Sequence, residues 1–337
     1  MLLTKFTAKG REFLGCKYPI ICGAMTWISD YKLVSTLGNA GGFGVLAGGN
    51  TPVETFEQEI ITTRKHTDKP FGINLITLAP LYKEHLRLVC DMKCPVIIFA
   101  GGIPKESEIK RAKDSGAKVI CFTPTEPLAL RLIKMGADAL LIEGSEAGGH
   151  IGPVTLTVLL QQILFTISDV PVFVAGGIAT GRMVAHLLMM GAAGVQMGTK
   201  FVMAEECKAH QIFKETFRKA KARDAVATPQ FDSKLPVVPV RALKNEMTAA
   251  FAQLQLELME KIKNNLIDHR KAGYDVENFW MGALKKAAID GDVKKGSLMA
   301  GQSVGLVDKI MPVEKILSEI INDAEAELQR LSRSLRE

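Results

Sequence analysis

A chain of 337 residues with 47% hydrophobic and 23% charged side chains has ample material for a large core, which excludes a disordered or fibrous protein. Its formal net charge of +6 and pI near 8.9 favour anionic partners without choosing among them, and no aromatic-interleaved basic stripe points to nucleic acid. Lys5, Lys9 and Arg11 break up the apolar start, so a secretory signal is not expected, and six cysteines scattered from Cys16 to Cys207 read as reduced thiols of a cytoplasmic protein.

Along the chain, short apolar runs recur at 19–25, 43–47, 71–75, 96–100, 118–122, 139–143, 172–175 and 194–197. Each stops at glycine or another turn former, the pattern of buried parallel strands. Between them lie segments at 30–40, 54–66, 106–115, 127–135 and 181–190 with apolar residues three or four apart, several stopped by glycines suited to a left-handed C-cap (Gly116, Gly136, Gly191). Eight such units predict an α/β fold, a (β/α)8 TIM barrel. The competing architecture, an open doubly wound sheet, lacks its nucleotide fingerprint after the first strand. The uncharged stretch 151–168 approaches membrane-spanning length, but Pro153, Thr155, Thr157, Gln161 and Gln162 mark it as a loop and a buried helix.

Beyond Phe201 the pattern turns to charged helices. Lys214, Arg218, Lys219, Lys221 and Arg223 are expected on one helix, either as a solvated face or as a dock for an acidic carrier protein. A Pro-containing connection at 235–240 precedes a helical stretch expected over 241–264, an appended lid. The last segment, 313–335, sets Ile316, Ile320, Ile321, Leu328 and Leu331 on one helical side, for packing on the barrel or on a partner chain in a homodimer. The expected division is a barrel over 1–222, a mostly helical small domain over 223–296 and a segment returning to the barrel over 297–337.

In a barrel the residues that follow each strand converge on one face, so chemistry is sought there. After strand seven comes Ala175-Gly176-Gly177-Ile178, and after strand eight Gln196-Met197-Gly198-Thr199. Such turns either bind a phosphate through backbone N–H groups or merely permit tight βα corners. After strand six runs Glu143-Gly144-Ser145-Glu146-Ala147-Gly148-Gly149-His150-Ile151-Gly152, a flexible glycine-rich loop that can approach a flat ligand and that carries one proton-transferring side chain. The bland alternative is a surface histidine in a mobile turn. His66, His85, His186, His210 and His269 lie in helical or linker segments and read as structural. Gly23-Ala24-Met25 follows strand one, where Met25 can lie against a ring system, and Asn74 in strand three offers an amide to a pyrimidine-like edge. Cys90 and Cys94 lack a second Cys or His pair at zinc spacing, so no metal site is expected.

These segments, together with Tyr18-Pro19-Ile20-Ile21-Cys22 and Lys69-Pro70-Phe71-Gly72-Ile73-Asn74, resemble the nitronate monooxygenase and FMN-dependent enoyl-acyl-carrier-protein reductase superfamily over nearly the whole chain. Val240-Arg241-Ala242-Leu243-Lys244-Asn245, the run from Gly291-Asp292-Val293 through Gly296 to Gln302 and the Glu143-Gly144 pair are more similar to the reductases. Two turns depart from the reductase pattern: the first, with Ala24 before Met25 and Cys22 before Gly23, and Ala100-Gly101-Gly102-Ile103-Pro104 after strand four. The resemblance implies FMN held by Gly23, Ala24, Met25, Asn74, Glu143, Gly148, Gly149, Gly176, Gly177, Gln196, Gly198 and Thr199. Its phosphate falls to Gly176, Gly177, Gly198 and Thr199, with His150 as the catalytic residue facing substrate. It further implies NADH or NADPH as co-substrate and a trans-2-enoyl thioester presented on acyl carrier protein. The alternatives are a nitronate monooxygenase that uses oxygen and no nicotinamide, and a non-catalytic flavin-binding protein.

Overall fold

Parallel strands buried on both faces need apolar side chains at every position, and the eight apolar runs supply them. In the computed structural model, which describes residues 1–49, 51–231, 235 and 238–335, they form β1 (Ile20–Cys22), β2 (Phe43–Ala47), β3 (Gly72–Ile76), β4 (Val96–Ala100), β5 (Lys118–Thr123), β6 (Ala139–Glu143), β7 (Val172–Ala175) and β8 (Gly194–Met197). They close as a TIM barrel: β1 pairs with β8 in parallel, Ile20 opposite Val195 and Cys22 opposite Met197. Alternation sorts the side chains. Val96, Ile98, Ile120, Leu141 and Phe173 fill the interior, while Ile97, Phe99, Val119, Cys121 and Val174 pack outward under the helices. Phe13 and Leu14, from the N-terminal helix Ala8–Leu14, join the interior cluster.

The outer helices include Tyr31–Asn39, Val53–His66, Tyr82–Asp91, Glu106–Asp114, Glu126–Lys134 and Gly181–Met189. Tyr82–Asp91 has no counterpart in the sequence reading, although its buried residues Tyr82, His85, Leu86, Val89 and Cys90 follow helical spacing. The stretch 151–168 contains a short helix, Leu156–Leu159, that runs on into Leu160–Leu164. Among the described residues no helix is long and apolar enough to cross a membrane.

Two expectations are corrected beyond the barrel. Residues 241–243 are not helical: Val240–Leu243 is the middle strand of a small antiparallel sheet between Ala225–Ala227 and Gly149–His150. The helix begins only at Glu246, where Asn245 caps it by accepting from Thr248 N, and runs to Lys263; a second helix, His269–Ala288, follows and is called the cap helix below. Pro236 and Val237 of the expected connection lie outside the described residues. The basic cluster does not share one helix either. Gln211–Lys219 ends before Lys221 and Arg223, Lys214 is buried with its ammonium donating to Ala204 O at 2.6 Å, and Arg218 pairs with Glu215 at 2.8 Å.

The C-terminal helix Val313–Ser334 buries Ile316, Ile320, Ile321 and Leu328 and lies against Gly181–Met189. His186 Nε2 meets Glu327 Oε1 at 3.0 Å across this contact. The approach is close enough that a Cβ at Gly181 would collide with the Ile320 carbonyl and stand 2.6 Å from Ala324 N. Gly181→Ala is therefore expected to lower stability by about 1–3 kcal/mol, read from the urea midpoint. Gly282→Ala, on an exposed turn of the cap helix where a Cβ meets nothing within 4 Å, is expected to raise it by about 0.5–1 kcal/mol. A fall for both variants would contradict the packing described.

Candidate active site

The strands' C-terminal ends surround one cavity of about 240 Å³. A single ordered water needs only ~10–15 Å³ measured this way, so the space accepts a large ligand. Gly23, Ala24 and Met25 line it after β1, Asn74 in β3, and Glu143, Gly148, Gly149 and His150 in and after β6. Gly176 and Gly177 line it after β7, and Gln196, Gly198 and Thr199 in and after β8. Every residue that the resemblance assigns to FMN or to catalysis thus borders one cavity.

Local chemistry explains the turns. Ser29 Oγ accepts from Met25 N at 2.9 Å and donates to Gly23 O at 3.0 Å, folding the β1 corner back over the barrel. Gly176 and Gly177 sit at φ 91° and 72°, left-handed backbone that a side chain resists, and a Cβ at Gly176 would also press on Gly144 O at 2.9 Å. At Gly198 a Cβ would meet nothing nearer than Met25 Sδ at 3.7 Å, so its absence leaves room on the cavity side. Thr199 Oγ1 accepts from Gly301 N at 3.1 Å, which fastens the returning C-terminal segment across the mouth. The described lining contains no Lys or Arg. An anionic group here is met by backbone N–H groups and a hydroxyl, the donor set of a glycine-turn phosphate site.

Glu143 ends β6 facing the cavity, and burial pushes its carboxyl from 4.5 up to about 8. At neutral pH it is protonated and can donate as well as accept a hydrogen bond. With the amides of Asn74 and Gln196, both buried, it offers neutral groups suited to the edge of a flavin ring.

The segment after β6 is not a mobile turn. Gly149 and His150 form a strand opposite Arg241 and Val240, Arg241 Nε donates to Ser145 O at 3.0 Å, and the Glu146 carboxyl accepts from Leu156 N at 3.0 Å. His150 is held at the cavity wall with Nε2 3.1 Å from Glu277 Oε1, although the ring N–H is out of line for a hydrogen bond.

Glu277 escaped the sequence reading, as did Trp280, Met281 and Leu284. All four line the cavity from the cap helix, at the i, i+3, i+4, i+7 spacing of one helical face. That periodicity was available; nothing local says that the face covers a barrel mouth.

The family model for nitronate monooxygenase matches residues 9–86 and 76–323. The chain is similar to the solved structure of FabK from Thermotoga maritima, at 34% identity and a TM-score of 0.83, with 97% of each chain covered. It is similar to the (3aS,4S,5R,7aS)-5-hydroxy-7a-methyl-1-oxo-octahydro-1H-indene-4-carboxyl-CoA dehydrogenase of Mycobacterium tuberculosis, at 30% identity over 95% of this chain and 97% of that one. A probable nitronate monooxygenase of Staphylococcus aureus is 29% identical over 92% of this chain and 95% of its own length.

The raised Glu143 pKa has a sign. Between pH 4.5 and about 8 the unfolded side chain loses its proton while the folded one keeps it, so the contribution of this group to stability is fullest below 4.5 and is lost as pH rises to about 8. In flavin-free protein the wild type is expected to lose on the order of 1.4 kcal/mol per pH unit relative to Glu143→Gln across that window. Parallel pH–stability curves for the two proteins would refute the assignment.

Proposed function

Because the chain belongs to the nitronate monooxygenase family of oxidoreductases, which is generally flavin-dependent, we propose that it is an FMN-dependent enoyl-acyl-carrier-protein reductase acting on trans-2-enoyl thioesters. The observation that carries the choice is the apolar side of the cavity: Trp280, Met281 and Leu284 of the cap helix, with Met299, Phe213 and Val202, suit an acyl chain. Similarity to FabK and to a relative whose name specifies a CoA thioester supports the same substrate class.

The Gly176-Gly177 and Gly198-Thr199 turns would hold the FMN phosphate, and Met25, Asn74, Glu143, Gln196 and Gly148 would border its ring. When bound, FMN supplies the two-electron chemistry that links NADH or NADPH to the thioester's β-carbon. The chain's own part is to orient and protonate. His150 stands where it can hydrogen-bond the thioester carbonyl as enolate character develops, and it delivers the proton that completes the reduction at the α-carbon. The apolar roof keeps water from the reacting atoms. The acyl group would arrive on acyl carrier protein, in the cytoplasm.

A nitronate monooxygenase is the second reading, favoured by the staphylococcal relative; there His150 would act as base or anion partner. Supplying NADH or NADPH with crotonyl thioester, and separately a nitronate in air, separates the two. Rapid thioester-dependent nicotinamide oxidation is expected, and His150→Ala should slow it by about 10²–10⁴ while flavin content holds. Oxygen uptake on nitronate alone would overturn the reductase, and unchanged turnover in the variant would remove His150 from the reaction.

A further inference from the structure

The cap helix brings a second carboxyl to the cavity. Glu277 is 8% exposed, its Oε1 lies 3.1 Å from His150 Nε2, and that nitrogen is buried with no hydrogen bond aligned on it. The rest of the imidazole borders the cavity, the side chain remaining 25% exposed. An ionised carboxylate has only acceptors. If Nε2 carried a lone pair, two acceptors would face each other in a dry site, so the low-energy arrangement places the proton on Nε2 with Glu277 accepting. Hydrogen bonds of this type are often misaligned in the free enzyme and tighten when substrate binds.

We propose that Glu277 is a positioning residue for His150: its carboxyl holds Nε2 turned away from the cavity, so that Nδ1 is the nitrogen that meets the substrate, an acceptor in the neutral ring and the donor that gives up its proton when the ring is the imidazolium. His150's part in turnover rests on the function proposed above; the orientation of the ring does not. Both partners are fixed by separate anchors. The backbone of His150 pairs with Val240. Glu277 is seated by the helix that bears it: one turn on, Met281 O accepts from Trp27 Nε1 at 3.1 Å, and Lys285 Nζ lies 5.4 Å from the centre of the Trp27 ring. Trp27 holds this clasp with backbone at φ 67°, a conformation that a bulky residue adopts only under constraint from its surroundings. Trp280, next along the face from Glu277, is locked against Phe251 with ring centres 4.4 Å apart. The register of the cap helix on the barrel thereby sets where the carboxyl sits.

The test uses flavin-loaded enzyme labelled with 15N in histidine, the His150 signals being assigned by their loss in His150→Ala. Neutral His150 in the wild type is expected as the Nε2–H tautomer. Glu277→Leu should give a mixture of tautomers and lower kcat about 10–100-fold, the scale found when an outer partner of a functional histidine is removed, with KM for the thioester little changed. Glu277→Gln keeps an oxygen at the same reach and should restore the tautomer and most of kcat. An Nδ1–H tautomer in the wild type, or a Leu variant with unchanged tautomer and kcat, overturns the proposal. So does a Gln variant as impaired as Leu with a matching fall in melting temperature, because that pattern marks a clamp for the cap rather than a guide for the ring. If wild-type enzyme reduces no thioester, the proposed reaction fails while the tautomer measurement still decides the orientation.

Discussion

The site depends on a pairing of two residues with two. Gly149 and His150 extend from the β6 corner and bond as a strand to Arg241 and Val240, nearly a hundred residues later in the chain. This corner is shaped by the appended unit, which means that the only histidine at the cavity among the described residues takes its place from outside the barrel. Glycine at 149 is required by φ 82°, and a Cβ at Gly148 would run into the backbone at Ala300 and Gly301 at 2.5 Å. The glycines read at first as flexibility in fact permit three segments of backbone to stack closely, which makes the corner stiff.

That stiffness bears on the electrostatics. The cavity's ionisable groups, among the described residues, are Glu143, His150 and Glu277. Glu143 has no charged neighbour to favour its ionised form, so desolvation decides and the carboxyl stays neutral near pH 7. Glu277, by contrast, faces an imidazole. One carboxyl is thus a neutral donor on the floor of the cavity and the other a guide for the proton-bearing ring on its wall. Oriented groups fixed before a ligand arrives need no reorganisation during reaction, and a low-dielectric surround strengthens each of them.

The barrel was legible because its signal is local. β2, β4 and β6 are bounded in sequence where they are bounded in space, since an interior strand is apolar throughout and stops at the turn residue. β1 is shorter than its apolar run, because its ladder begins only after Pro19, which has no N–H, and ends where the chain folds back to Ser29. The corners of β7 and β8 could likewise be read from their glycines. The strand at Val240–Leu243 was not legible: its four residues suit a helix start as well as a strand, and only the distant partner at Gly149–His150 decides between them. The basic residues from Lys214 to Arg223 misled for a related reason, since spacing alone does not reveal that Lys214 turns inward to a carbonyl.

Glu277 belongs to the same class of information. On its own helix it is one polar residue in an amphipathic pattern, four before Met281 and three before Trp280, and a solvated position is its ordinary fate. Burial in the middle of a 20-residue helix is tolerable only because the helix docks with that face toward the barrel mouth, where the imidazole is already waiting. Neither group explains its own environment, and each explains the other's. A (β/α)8 barrel can vary its chemistry by changing loops, but here the variable part reaches the cavity in two ways at once, through backbone pairing that sets the histidine and through a helix face that roofs the space. Changes in that appended unit would therefore alter substrate fit and proton handling together, while the glycine corners at Gly176 and Gly198, which belong to the barrel, would be left as they are.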